Sequence, residues 1–190
     1  MDPDWAIDFR ARMLAFESQR PPRKGEVSAS LKVRVMSGCF HREHSPHAYE
    51  LIDRHLASVP PSQRSEFALI EHESGPELLV YLALVTAGVT LAKSAIDLVI
   101  AIINARAEGL KQGDRPDCPV EVIVRRVYDG DKFIEETVLR IGHNDRVDRK
   151  GIEARINAAL KRVMATGGAK TASQRLKGPR RKRRSGDVQR

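Results

Sequence analysis

The stretch ELLVYLALVTAGVTLAKSAIDLVIAIINARAE, residues 77–108, is the longest apolar run in the chain, and its reading decides the fold. Leu78, Leu79, Val80, Tyr81 and Leu82 open it, and Leu98, Val99, Ile100, Ile102 and Ile103 close it, leaving no continuous polar face. Read as one segment launched by Gly75-Pro76, it predicts a long central helix, apolar nearly all round and buried on more than one side. Thr86-Ala87-Gly88 would bend it. Lys93 and Asp97 interrupt it at i, i+4 and share one face. They form either a buried pair or part of a solvent stripe with Thr86, Thr90 and Ser94. Residues 78–103 exceed the ~20 needed to span a bilayer. Two charges near the middle would each cost ~2.5–3.5 kcal/mol on insertion. A buried soluble helix is therefore expected, and a membrane-inserted helix over 78–103 is the alternative.

On the N-terminal side, residues 27–36 alternate: Val27, Ala29, Leu31, Val33 and Val35 point one way, and Ser28, Ser30, Lys32 and Arg34 the other. This is a half-buried strand. Ser45-Pro46 reads as an N-cap and first-turn pair for a helix over 46–58 with Ala48, Leu51, Ile52 and Leu56 inward. Val59-Pro60-Pro61 stops that helix, and residues 66–72 read as a short strand. On the C-terminal side, a strand over 120–128, an Asp129-Gly130 hairpin turn and a return strand over 132–141 follow. Asp148 caps a last helix over 149–165. Residues 3–19 form an amphipathic helix through Trp5, Phe9, Met13 and Phe16, cut off by the Pro-Pro linker at 20–25. The expected class is α+β: about four strands, mostly antiparallel, packed on helices. Three regions result: a helical arm and linker over 1–25, a core domain over 26–166, and a tail over 167–190.

The tail holds the charge. The chain carries +8 overall. From residue 167 onward there are nine bases against one acid, Asp187, which accounts for all of the excess and leaves residues 1–166 neutral. With almost nothing apolar, the tail is expected to be disordered alone. Lys170, Arg175, Lys177, Arg180, Arg181, Lys182, Arg183 and Arg184 suit sequence-independent contact with nucleic acid or another polyanion, through counterion release. A solvated tail or contact with an acidic protein is the plainer reading. No aromatic accompanies these bases, so base stacking is not available there.

The core, by its layout over 30–35, 67–71, 86–109 and 120–141, resembles the effector-associated constant component family of bacterial conflict systems. Where that family has an arginine-rich helix end, this chain has Arg106 and Lys111. The resemblance implies a non-catalytic adaptor or sensor, with no catalytic residue to carry over.

Candidate chemistry is sparse. Cys39, His41, His44 and His47 gather a thiol and three imidazoles within nine residues, enough for a tetrahedral zinc. The spacing matches no standard zinc motif, and a polar strand-to-helix loop is the simpler reading. Zinc is the one cofactor for which the sequence offers ligands. A metal-dependent enzyme built on that loop is a further alternative. Glu71-His72-Glu73 could do acid–base work but also reads as an ordinary turn. Asp129-Gly130-Asp131 lacks the remaining ligands of a calcium loop. Two distant cysteines, Cys39 and Cys118, give no disulfide framework. The acidic start, Met1-Asp2-Pro3-Asp4-Trp5, is unlike a secretion signal. The expectation is a cytoplasmic, non-enzymatic interaction module. It would meet a protein partner or a second copy of itself through the core, and a polyanion through the tail.

Overall fold

A computed structural model describes residues 4–19, 26–36, 38–72, 74–85, 88–115, 118–129, 132–142 and 144–166. The basic tail, Glu73, Thr86 and Ala87 lie outside these, as do the side chains of Trp5 and Phe9. The elements run α1 (Asp4–Gln19), β1 (Glu26–Val35), α2 (Pro46–Ser58), α3 (Pro61–Arg64), β2 (Phe67–Ile70), β3 (Glu77–Val85), β4 (Gly88–Leu91), α4 (Lys93–Lys111), β5 (Val120–Asp129), β6 (Lys132–Ile141) and α5 (Arg149–Thr166).

The long segment is not one helix. Residues 77–85 form strand β3, β4 turns back along it, and only 93–111 are helical. The reason is burial on both faces. Leu78, Val80 and Leu82 enter the main core, while Leu79 and Tyr81 enter a smaller one on the opposite face. A strand covered on both sides shows a continuous apolar run, which periodicity alone cannot tell from a buried helix. The membrane alternative falls with this. Its span over 78–103 is broken into two strands and a helix, and no helix among the described residues is long and apolar enough to cross a membrane.

Among the described residues, six antiparallel strands make one sheet, two more than the expected four; five run in the order β2-β3-β1-β5-β6, and β4 pairs with β3 off that path. β4 lies beyond β2 along the same edge of β3: Val80 pairs with Phe67, and Leu82 pairs with Leu91. The β5–β6 hairpin closes with Asp129 opposite Lys132, and its register slips between Val127 and Asp129 and again between Val122 and Ile123.

Helices α2, α4 and α5 cover one sheet face. Ala29, Leu31 and Val33 of β1 meet Ile52 of α2, Ile96, Val99 and Ile102 of α4, and Ile156 and Leu160 of α5 there. Arg126 donates to the Met164 carbonyl (3.2 Å) and Arg162 pairs with Glu136, fixing the end of α5 to the hairpin. The opposite face is covered in part by α1. Phe16 stacks on Tyr81 with ring centroids 4.7 Å apart, and the Tyr81 hydroxyl donates to the Phe16 carbonyl at 3.2 Å. Such a pair adds ~0.5–1.5 kcal/mol beyond area burial.

Two expectations about polar groups are corrected. Lys93 and Asp97 are not a buried pair: Lys93 is exposed, and Asp97 pairs with Arg149 at the start of α5. Ser45 does not cap α2 with its side chain; its hydroxyl donates to the Arg115 carbonyl instead. The cap comes from Asp114, beyond the end of α4, whose carboxylate accepts from the backbone amides of His47 (3.3 Å) and Ala48 (2.9 Å). A glycine makes room for it. A Cβ on Gly109 would lie 2.1 Å from Asp114 Oδ2 and 2.9 Å from the Ala48 nitrogen.

Candidate metal centre and charged sheet face

The loop between β1 and α2 is pinned from beneath. Phe40 is fully buried, its ring edge-on to Tyr49 at 5.5 Å, with the Arg106 guanidinium 5.5 Å from the ring centroid. The Tyr49 hydroxyl donates to the Phe40 carbonyl (3.0 Å), and burial pushes that phenol up from its ordinary value. Beyond Phe40, the amides of His44 (3.1 Å) and Ser45 (2.9 Å) both donate to the His41 carbonyl, making one tight turn. The Arg115 amide donates to the His44 carbonyl (2.9 Å) and ties that turn to the far end of α4.

On this frame Cys39, His41 and His44 come together, with their ligand atoms all within 4.8 Å of one another. The two imidazole centroids are 4.4 Å apart. His47 does not join them. Its Nδ1 lies 2.8 Å from Asp114 Oδ1, on the carboxylate that caps α2. The four residues grouped by sequence therefore divide into three and one. Arg42, in the middle of the loop, has partners of its own. It binds Asp53 (2.7 Å) and Glu71 (2.6 Å) while lying 4.9 Å from the Tyr49 ring centroid. Those hydrogen bonds raise its guanidinium pKa further.

A second constellation was not legible in the sequence. On the sheet face under α1, the fully buried Glu77 of β3 receives the Ser30 hydroxyl of β1. It pairs with Arg12 of α1 at 2.9 Å and approaches Arg125 of β5 at 3.5 Å. The His72 Nε2 lies 3.2 Å from Oε2, the oxygen that Arg12 also binds. Arg125 also donates to Glu135 of β6 at 2.8 Å. Next to it, the buried Glu121 is held by Arg34 (2.8 Å) and Arg140 (2.9 Å). Burial alone would raise the Glu77 carboxyl; the contacts from His72 and Ser30 and the charges of Arg125 and Arg12 outweigh it and hold the group at about 2. Burial lowers Lys32 on the same face, with Arg125, Arg34 and Arg12 adding repulsion against the attraction of Glu77.

Serine, histidine and carboxylate are thus adjacent, but in the wrong order for nucleophilic catalysis. Activation needs the imidazole between the acid and the hydroxyl. Here the carboxylate sits in the middle, and a carboxylate near pKa 2 is a poor base for a serine proton. The turn that sets this up is sterically fixed. Gly75 has φ of 123°, and a Cβ there would lie 2.2 Å from the Val33 carbonyl oxygen. Of the expected acid–base group Glu71-His72-Glu73, Glu71 serves Arg42 and His72 faces Glu77.

A cleft of about 340 Å3 between β6 and the start of α5 is lined by Arg140, Arg146 and Arg155 together with Asp145 and Asp148. Both acids are engaged by backbone amides, Asp145 by Gly142 (2.8 Å) and Asp148 by Gly151 (3.0 Å), the latter being the expected cap of α5.

Comparison with protein-family models, with curated proteins and with solved structures finds no significant match to this chain.

Proposed function

We propose that this protein is a non-catalytic interaction module of the cytosol whose basic segment, residues 167–190, contacts nucleic acid or a comparable polyanion. One observation carries the reading: where charge is balanced and where it is not. Within the folded body, the buried carboxylates Glu77 and Glu121 are each matched by arginines. Depressed carboxylates of this kind are structural anchors rather than groups tuned for proton transfer near neutrality. Residues 1–166 sum to zero, and the entire +8 lies beyond them. An adaptor setting in bacterial conflict signalling, with a protein partner on the core, is part of the same proposal; of the layout shared with effector-associated constant components, the strands within 30–35, 67–71 and 120–141 remain, while the helix begins only at Lys93.

The test is retention on duplex DNA and on RNA as a function of salt, for the full chain and for a chain ending at Thr166. If the eight bases from Lys170 to Arg184 meet phosphates, the full chain shows a log–log salt slope of about −7 on duplex DNA and about −6 on single-stranded RNA. The shortened chain loses retention at every salt concentration. Equal retention by both chains, or binding indifferent to salt, overturns the proposal.

A further inference from the structure

We propose that Cys39, His41 and His44 form a binding site for a zinc-class divalent cation, with one thiolate and two imidazoles as protein ligands and solvent in the fourth position. The inference is independent of the polyanion reading, since it concerns a different part of the molecule.

Geometry is the first argument. In a tetrahedral zinc centre, bonds of ~2.3 Å to sulfur and ~2.0 Å to nitrogen place ligand atoms roughly 3.3–3.6 Å apart. The three candidate atoms already lie within 4.8 Å of one another. Side-chain rotation of about an ångström per ligand closes that gap, well within rotamer freedom.

Preorganisation is the second. Phe40, between two of the ligands, is anchored by its ring and by its carbonyl, which holds the backbone on either side of it, at the half-buried Cys39 and His41. The amide donations to His41 and from Arg115 to His44 fix the turn that carries the two imidazoles. The entropy of gathering the ligands is therefore largely spent in folding and not in binding.

Electrostatics is the third. Arg42 is the nearest cation in sequence, and Asp53 and Glu71 both bind it, so two carboxylates offset its repulsion of an incoming cation. The donor set then selects the metal. Thiolate with imidazole favours zinc and its neighbours over magnesium or calcium, which prefer oxygen. His47 is excluded because Asp114 holds it at the α2 cap. Three protein ligands leave an accessible coordination position, the pattern of open zinc sites. On binding, the Cys39 thiol proton passes to solvent as the thiolate takes the metal.

The experiment titrates tag-free, full-length protein with cobalt(II), following the d–d bands and the sulfur-to-metal charge-transfer band, and then displaces cobalt with zinc. One equivalent is expected to saturate both bands, and one equivalent of zinc to remove them. Cys39→Ser should abolish the charge-transfer band, while Cys118→Ser leaves it. His41→Asn and His44→Asn should each weaken binding by more than the roughly 10–100-fold that loss of an outer-sphere partner costs. His47→Ala should leave the stoichiometry and both bands in place. Circular dichroism of every variant separates loss of ligand from loss of fold. Absence of a charge-transfer band at one equivalent, its survival in Cys39→Ser, or unchanged affinity in both histidine variants overturns the proposal. So does a His47→Ala variant that folds but no longer binds.

Discussion

Glu77 is a single carboxylate that three elements and the loop before β3 address at once. Its ordinary value of 4.5 falls to about 2 in the folded chain. A depressed acid stabilises the fold fully above its unfolded pKa and loses that contribution as pH falls through the folded value. The window is therefore pH 4.5 down to about 2, with stability rising with pH across it. At ~1.4 kcal/mol per unit, the linkage is about 3 kcal/mol. Glu77→Gln should cost a comparable amount at pH 7, because Arg12 and Arg125 lose a buried counter-charge. It should also flatten the acid limb of a urea-midpoint-against-pH curve; an unchanged acid limb would show that Glu77 is not the linked group. Nothing in the local sequence announces this. Glu77 reads as the first residue of a helix, while Ser30, Arg12 and Arg125 stand 47, 65 and 48 residues away and meet it only through strand register and α1 docking.

At the scale of elements, the joint between α2 and α4 is the sharpest steric statement in the molecule. Gly109 admits the Asp114 carboxylate, and Asp114 caps α2. Gly109→Ala raises helix propensity by ~1 kcal/mol in isolation yet should destabilise the protein, because its methyl occupies the place of Asp114 Oδ2. Loss of a cap typically costs ~1–2 kcal/mol, so thermal unfolding should move down, not up, and a higher midpoint would contradict the close approach. Elements with one buried face were legible from sequence. The 46–58 helix, the 132–141 strand and the helix beginning at Arg149 appear where one-sided periodicity puts them. The β3–β4 pair was not: β3 lost its alternation to Leu79 and Tyr81, and β4 is only four residues long. The Cys-His loop was legible as a group of four. Its division into three and one was not, because Asp114, which takes His47, lies 67 residues further along the chain.

Across the whole molecule, α1 is a separately attached lid on the second face of the sheet. It covers Leu79 and Tyr81 through Phe16 and supplies Arg12 to Glu77. Removing residues 1–25 should leave the helix-covered core folded by circular dichroism while lowering the urea midpoint and creating a dye-binding apolar patch, since Phe burial of this kind is worth several kcal/mol. A shortened chain with an unchanged midpoint would mean that α1 adds nothing to stability. The neutral body and the +8 of residues 167–190 then divide the molecule into a part that balances its own charge and a part that cannot. The register slip at Val122/Ile123 has a further consequence, in the currency of self-association. β6 is a ten-residue strand at the end of the sheet, and a long flat edge of that kind invites another chain to add itself as a seventh strand. The slip bends the hairpin, and Glu135, Glu136 and Arg140 place charge of both signs along the same strand. Irregular curvature and charge together make β6 a poor template, so the device that brings Arg140 to Glu121 also guards the sheet against polymerising through its own rim.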